Sequence, residues 1–161
     1  ILTVDEYDQF MDKIEERERQ AYEAEERAQF QQDLTLIKQY AKNNKLKVKK
    51  LPSGVSYMLK KKGKGPAVKA GDQLTVHYEG RLTDNTVFQK TFGGSPFKFK
   101  IGKEEVIKGW DEGFKMFKKG GQGWILIPSK LAYGQLAINE GKINIPENSV
   151  LVFKVKVLKV N

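Results

Sequence analysis

The stretch Val106-Ile107-Lys108-Gly109-Trp110 is the part of this chain best suited to chemistry. Two apolar residues lead through a glycine into a tryptophan, and Phe114 and Phe117 follow at helical spacing. A tryptophan at the start of a helix, beside strand residues, can floor an apolar pocket. Its ring buries a large area and its N–H wants a partner. Taken alone, the pentapeptide suits a core tryptophan equally well. Other chemistries are poorly supplied. The chain has no cysteine and a single histidine, His77. Thiol nucleophiles, disulfides, thiolate metal sites and multi-histidine metal sites are thereby excluded. No metal and no cofactor is expected. A Ser–His pair would require His77, which sits in an alternating strand pattern and reads as a structural hydrogen-bonder. Gly93-Gly94 and Gly120-Gly121-Gln122-Gly123 lack the Lys-Ser or Lys-Thr of a phosphate loop and read as turns.

The elements that must position these residues can be traced along the chain. Residues 4–42 are nearly free of Gly and Pro and rich in Glu, Gln, Arg and Ala, which favours helix. Thr3 or Asp5 can cap its start. Phe10 and Ile14 share one face, and so do Phe30, Leu34, Ile37 and Ala41. Residues 15–28 between them are too polar for a buried helix. The segment therefore predicts one long helix or two, solvated in the middle and adhesive at the ends, stopping at Asn43-Asn44. Lys45–Lys50 is a basic connector, and Leu51–Tyr57 turns into a strand. Leu74, Val76 and Tyr78 alternate with Thr75, His77 and Glu79, a half-buried strand. Asp84-Asn85 makes a hairpin-like turn before Val87-Phe88. Phe97, Phe99 and Ile101 alternate with lysines. Residues 104–118 are expected to form one short helix. Trp124–Ile127 is a strand ended by Pro128, and Leu151, Phe153, Val155 and Val157 alternate to close the sheet. Many strands around one helix predict an α+β fold.

The charge is divided. Residues 1–33 hold 11 carboxylates against 4 basic residues, and residues 34–161 hold 25 basic residues against 9 carboxylates. A basic domain can meet nucleic acid or acidic surfaces. Here nearly all of its cations are lysines, and Arg81 is the one arginine after residue 33. Arginine is the usual base-reading side chain. A solvated lysine surface is the favoured reading, and nucleic acid is not an expected partner. No apolar run approaches the ~20 residues of a membrane helix. The chain begins at Ile1 without Met, which suits a removed leader.

Several segments recur in a recognisable order: Gly71–Gly80, Pro96-Phe97-Lys98-Phe99-Lys100-Ile101-Gly102, the pentapeptide to Trp110, Ile127-Pro128, Ala132-Tyr133-Gly134, Ile145-Pro146 and Leu151–Val155. Over roughly residues 52–161 this set resembles the FKBP-type peptidyl-prolyl cis-trans isomerase family, in its bacterial form with a helical amino-terminal extension. The resemblance implies a curved antiparallel β-sheet, a half-barrel, wrapped around one short α-helix. It divides the chain into an extension, residues 1–44, and an isomerase domain, residues 45–161. It implies that Trp110 floors a prolyl pocket. Tyr78, Phe88, Phe97, Val106, Ile107, Tyr133 and Phe153 would complete the catalytic set, with Phe99 as a further wall. In the family, the backbone N–H matching Ile107 and the phenol matching Tyr133 bond substrate or drug carbonyls. Gln89 stands where the family usually has Asp, so the rim loses a carboxylate. The loop from Tyr133 to Pro146 is longer than usual, and Leu136, Ile138 and Ile145 are expected to touch substrate there. Implied partners are proline-containing unfolded or nascent polypeptides, macrolides such as tacrolimus or rapamycin, and a second copy bound through the amino-terminal helix. The implied location is the bacterial periplasm or cell envelope. The competing reading, prompted by Gln89, is a non-catalytic peptide-binding module or holdase using the same cleft.

Overall fold

The computed structural model describes residues 3–12 and 16–161. The expected partnership of Phe10 with Ile14 lies outside the described residues. Helix α1 (Val4–Asp12) begins on a capping box. Thr3 Oγ1 accepts from the Glu6 N–H at 3.1 Å, and Glu6 Oε2 accepts from the Thr3 N–H at 3.3 Å. Helix α2 (Glu16–Asn43) is long, as its composition predicts, and buries only its last turns. It stops in a Schellman arrangement: the Leu46 N–H reaches the Ala41 carbonyl at 2.8 Å and the Lys45 N–H reaches that of Lys42 at 3.3 Å. Lys45 supplies the left-handed residue, with φ 57°.

The sheet is antiparallel. Its strands are β1 (Lys49–Lys50), β2 (Ser56–Lys61), β3 (Gln73–Arg81), β4 (Val87–Lys90), β5 (Phe97–Lys100), β6 (Gln122–Ile127) and β9 (Leu151–Val160). Their order is β1-β2-β6-β9-β3-β4, with β5 also paired to β3. A separate hairpin, β7 (Ile138–Glu140) with β8 (Ile143–Ile145), stands inside the Tyr133–Pro146 segment. Helix α3 (Lys108–Gly113) continues as one 3-10 turn, Phe114–Met116. This is the α+β fold expected from the strand pattern, in the half-barrel form that the resemblance implied, although the helix is shorter than 104–118. Residues 101–106 form turns instead, with φ 77° at Gly102 and 57° at Glu104.

Strand register assigns the two faces. Ile125, Phe153, Gly80 and Gln89 lie in one cross-strand row, on the face that α3 covers. Leu126, Val152 and Arg81 lie in the next row, which points the opposite way. The first face carries the main core, with Leu74, Val76, Phe99, Trp110, Phe114 and Phe153 among its members. The second carries a smaller core, where Ile37, Tyr40 and Ala41 of α2 cover Leu126, Val150 and Val152. The end of α2 thus seals the convex side while α3 fills the concave side.

Candidate active site

Trp110 is the centre of the concave face and is 4% exposed. Five rings surround it. Tyr78 lies at 4.8 Å, Phe114 at 5.2 Å, Phe153 at 5.3 Å, Phe99 at 5.4 Å and Phe97 at 5.9 Å between ring centroids. Four of them meet the indole edge-on, with interplanar angles of 73–84°. That geometry sets the positive edge of one ring against the negative face of another. The indole nitrogen is buried and has no hydrogen-bond partner among the described residues.

Two glycines let the helix deliver this indole. A Cβ on Gly109 would fall 2.4 Å from Ile127 Cγ2, and one on Gly113 would fall 2.6 Å from Ile125 Cγ2. Helix α3 therefore lies directly on β6. A third glycine spaces the wall: a Cβ on Gly80 would stand 2.5 Å from Phe88 Cζ and 3.0 Å from Phe153 Cε1. Phe88 reaches Phe153 edge-on at 5.9 Å because the β3–β4 register shifts at Gly80 and Arg81. Phe88 is the extra residue of that bulge. Gly80, Gly109 and Gly113 are parts of the site that the sequence reading did not single out. Their signal was there as close-packing glycines inside a strand and at i, i+4 of a helix.

The structure brings Tyr78, Phe88, Phe97, Phe99, Trp110, Ile145 and Phe153 into one cluster. Val106, Ile107, Tyr133 and Ile138 are half-buried at its margin. Gln89 and Leu136 are exposed. Gln89 shares the cross-strand row of Phe153, and its side chain has no hydrogen bond among the described residues. Leu136 stands in the segment leading into the β7–β8 hairpin and is 40% exposed.

The polar groups at the margin are few and unengaged. Ile107 precedes α3 with extended backbone, φ −58° and ψ 147°, and its N–H donates to no described backbone group. Tyr78 and Tyr133 hydroxyls likewise have no hydrogen-bond partner among the described residues. Burial pushes both phenols above the ordinary tyrosine value. For Tyr78 the nearby Tyr133 adds to this, and for Tyr133 the Glu140 carboxylate of β7 does. Both therefore remain protonated donors at neutral pH. His77 lies outside the cluster. Its Nδ1 is 2.9 Å from Thr91 Oγ1 and its ring stacks on Phe92 at 5.3 Å, the structural role its strand position suggested. Two shallow grooves on α2, one edged by Leu36 and the other by Phe30, are lined mostly by solvated polar and charged side chains.

An aromatic cluster on the concave side of a half-barrel, with unengaged donors at its margin, is the arrangement the fold builds around Trp110. The chain belongs to the FKBP-type peptidyl-prolyl cis-trans isomerase family, whose model matches residues 65–158. It is 42% identical over 124 residues to the FKBP-type peptidyl-prolyl cis-trans isomerase FkpA of Buchnera aphidicola, covering 75% of this chain and 49% of that protein. It is 45% identical over 117 residues to FK506-binding protein 4 of Mycosarcoma maydis, covering 73% of this chain and 30% of that one. Among solved structures, FkpA from Escherichia coli superposes with a TM-score of 0.69 at 34% identity. That likeness covers 99% of this chain and 74% of the other, so it includes the amino-terminal helices. AtFKBP13 gives a TM-score of 0.64 at 33% identity, covering 71% of this chain and 99% of the other. The chain spans less than half the length of these two curated relatives.

Proposed function

We propose that this protein is a peptidyl-prolyl cis-trans isomerase that acts on X–Pro bonds of unfolded or nascent polypeptides and so assists folding. The observation that carries this reading is the Trp110 cluster, five rings around an indole. Rotation about X–Pro meets a barrier of about 18–20 kcal/mol because twisting destroys amide resonance. No bond breaks, so no nucleophile is required. The planar amide is more dipolar than the twisted one. An apolar cleft strips its hydration and thereby favours the twisted state, which is selective binding of the transition state. Each ~1.4 kcal/mol gained there is about tenfold in rate. Trp110 seats the proline ring, Phe97, Phe99, Val106 and Phe153 wall it, and the Ile107 N–H and Tyr133 hydroxyl hold the flanking carbonyls. Phe88, Gln89, Leu136, Ile138 and Ile145 meet the neighbouring substrate residues. The division into an extension, residues 1–44, and an isomerase domain, residues 45–161, belongs to this reading.

A protease-coupled or NMR exchange assay on an apolar-X–Pro peptide tests it. Exchange faster than buffer, abolished by rapamycin, is expected. A buffer rate from folded protein at micromolar concentration would favour the second reading, a non-catalytic peptide binder or holdase. Gln89 is what favours that alternative, since it is exposed and uncharged where a rim carboxylate would sit. Macrolide binding follows from the same cleft, and the FK506-binding names of the fungal relatives support it. Val4, Tyr7 and Phe10 on α1 are exposed at 70%, 40% and 47%. They support self-association through the helical extension, which light scattering measures. The bacterial cell envelope is the proposed compartment. The two FkpA relatives support its bacterial part, fungal relatives match the isomerase domain as well, and cell fractionation tests the rest.

A further inference from the structure

We infer that Asp33, on the extension helix, is a positioning residue for the cleft: it holds the turn that carries Tyr133. This rests on the reading of Tyr133 as a substrate contact. Asp33 is 1% exposed and is the one buried charged side chain among the described residues. A carboxylate is taken out of water only where strong partners receive it. Its Oδ1 accepts from Gln29 Nε2 at 2.8 Å, one turn away on α2. Its Oδ2 leaves the helix altogether. It accepts from the Ser129 N–H at 2.9 Å and from the Ser129 hydroxyl, across 96 residues of sequence. Ser129 is itself 2% exposed.

Ser129 begins the 3-10 turn Ser129–Leu131. Its carbonyl accepts from the Ala132 N–H at 2.9 Å and from the Gly134 N–H at 2.8 Å. Those are the two residues that flank Tyr133. The carboxylate of α2 therefore fixes Ser129, and Ser129 fixes both neighbours of Tyr133. Lys130, the next residue, is tied to the same helix, with Nζ 3.8 Å from the centre of the Phe30 ring. The Tyr133 hydroxyl has no partner among the described residues that would orient it from its own end. Its placement depends on the backbone, which is held from α2 through Ser129 and, on its other side, by the Asn148 N–H donating to the Gly134 carbonyl at 2.8 Å. The extension helix is thus a component of the cleft and not only an appendage to it.

The test uses the full chain and a double-mutant cycle, Asp33→Ala and Tyr133→Phe singly and together, with Asp33→Asn as the conservative variant. Peptide isomerisation is read alongside amide hydrogen exchange at Gly134. Displacement of one contact by an ångström can cost about a hundredfold. Asp33→Ala is expected to lower kcat/KM about tenfold in the parent and by less than about twofold in the Tyr133→Phe background, the mark of coupled residues. Asp33→Asn keeps an acceptor for the Ser129 N–H and should retain most of the activity. Exchange at Gly134 should quicken about tenfold in Asp33→Ala as its hydrogen bond opens locally. Equal fold-losses in both backgrounds overturn the inference, leaving Asp33 a stabiliser of the fold alone. Unchanged Gly134 exchange overturns it too. An inactive parent refutes the isomerase reading instead, and Gly134 exchange then decides whether Asp33 holds the turn. If Asp33→Ala does not fold, Ser129→Ala, which keeps the backbone bond, replaces it in the same cycle.

Discussion

At the scale of single residues, the cleft is built from hydrophobic and aromatic groups whose removal has separable consequences. Trp110→Ala would leave a void among five rings and cost about 3–5 kcal/mol of stability. Trp110→Leu is the more informative change, since it keeps much of the packing and removes the flat platform. It should weaken rapamycin binding at least tenfold by calorimetry, roughly 1.4 kcal/mol. Unchanged affinity would remove Trp110 from the floor. Gln89→Asp restores a carboxylate at the rim of β4, where the side chain is exposed and free to turn toward ligand. A charge-assisted hydrogen bond is roughly twice as strong as a neutral one. Tighter tacrolimus binding with equal or higher kcat/KM is expected, and no change would mean that residue 89 does not meet the ligand. The phenols give a pH prediction. Burial raises both Tyr78 and Tyr133 above the ordinary value. Their protonated forms are favoured by the fold, so the folded state holds more protons than the unfolded one between the two values. That stability is complete below about pH 10 and is lost as pH rises through the folded values. Isomerisation should be level from about pH 6 to 9 and fall only in the alkaline range. A rate that declined well below the ordinary tyrosine range would assign the proton to another group.

At the scale of elements, the strands were legible because one face of each is buried and the apolar residues alternate. Leu74-Thr75-Val76-His77-Tyr78 and Leu151–Val157 read as strands for that reason, and they belong to β3 and β9, which pair from Leu74 with Val160 to Arg81 with Val152. The helix around Trp110 was legible in kind but not in length. Its glycines carry a poor helix propensity, and their reason is close approach to β6, which periodicity does not report. The β7–β8 hairpin reads as a loop in the sequence, because three-residue strands around Glu140-Gly141-Lys142-Ile143 leave too short a pattern to count. Asp33 was invisible as a site: on sequence it is one acid among eleven in residues 1–33, and only the fold brings Ser129 to it. The close approach at α3 is directly testable. Gly109→Ala puts a methyl 2.4 Å from Ile127 Cγ2 on an interior strand. Overpacking of this kind costs about 1–3 kcal/mol, visible as a lower urea midpoint with unchanged slope. Combining it with Ile127→Ala, which removes the γ carbons, should give a combined loss smaller than the sum of the two, and full additivity of the two costs would show that the contact is not the cause.

At the scale of the whole molecule, the question is what the helical extension contributes to the domain it precedes. Its apolar residues fall into two groups with different fates. Val4, Tyr7 and Phe10 remain exposed, with Phe10 meeting the Tyr22 ring edge-on at 6.5 Å. Ile37, Tyr40 and Ala41 are buried against Leu126, Val150 and Val152. Tyr40 also donates its hydroxyl to Asn85 Oδ1 in the β3–β4 turn, which leads to Phe88. The residue composition of the extension foretold adhesive ends, but not that the second end adheres to this sheet. A truncation series separates the two roles. Removing residues 1–28 takes away the exposed group and leaves Phe30 onward in place, so peptide isomerisation and the melting temperature should stay close to those of the full chain. Removing residues 1–42 strips three buried side chains, of which the larger are worth about 1.5–3 kcal/mol each by area. It also uncovers Leu126, Val150 and Val152 to water. The sum approaches the whole stability of a typical domain, about 5–15 kcal/mol. The shorter chain should therefore melt far lower, or unfold at physiological temperature, and lose peptide isomerisation with it. If residues 43–161 instead match the full chain in melting temperature and kcat/KM, the sheet does not need its convex cover, and α2 serves only what lies beyond this domain.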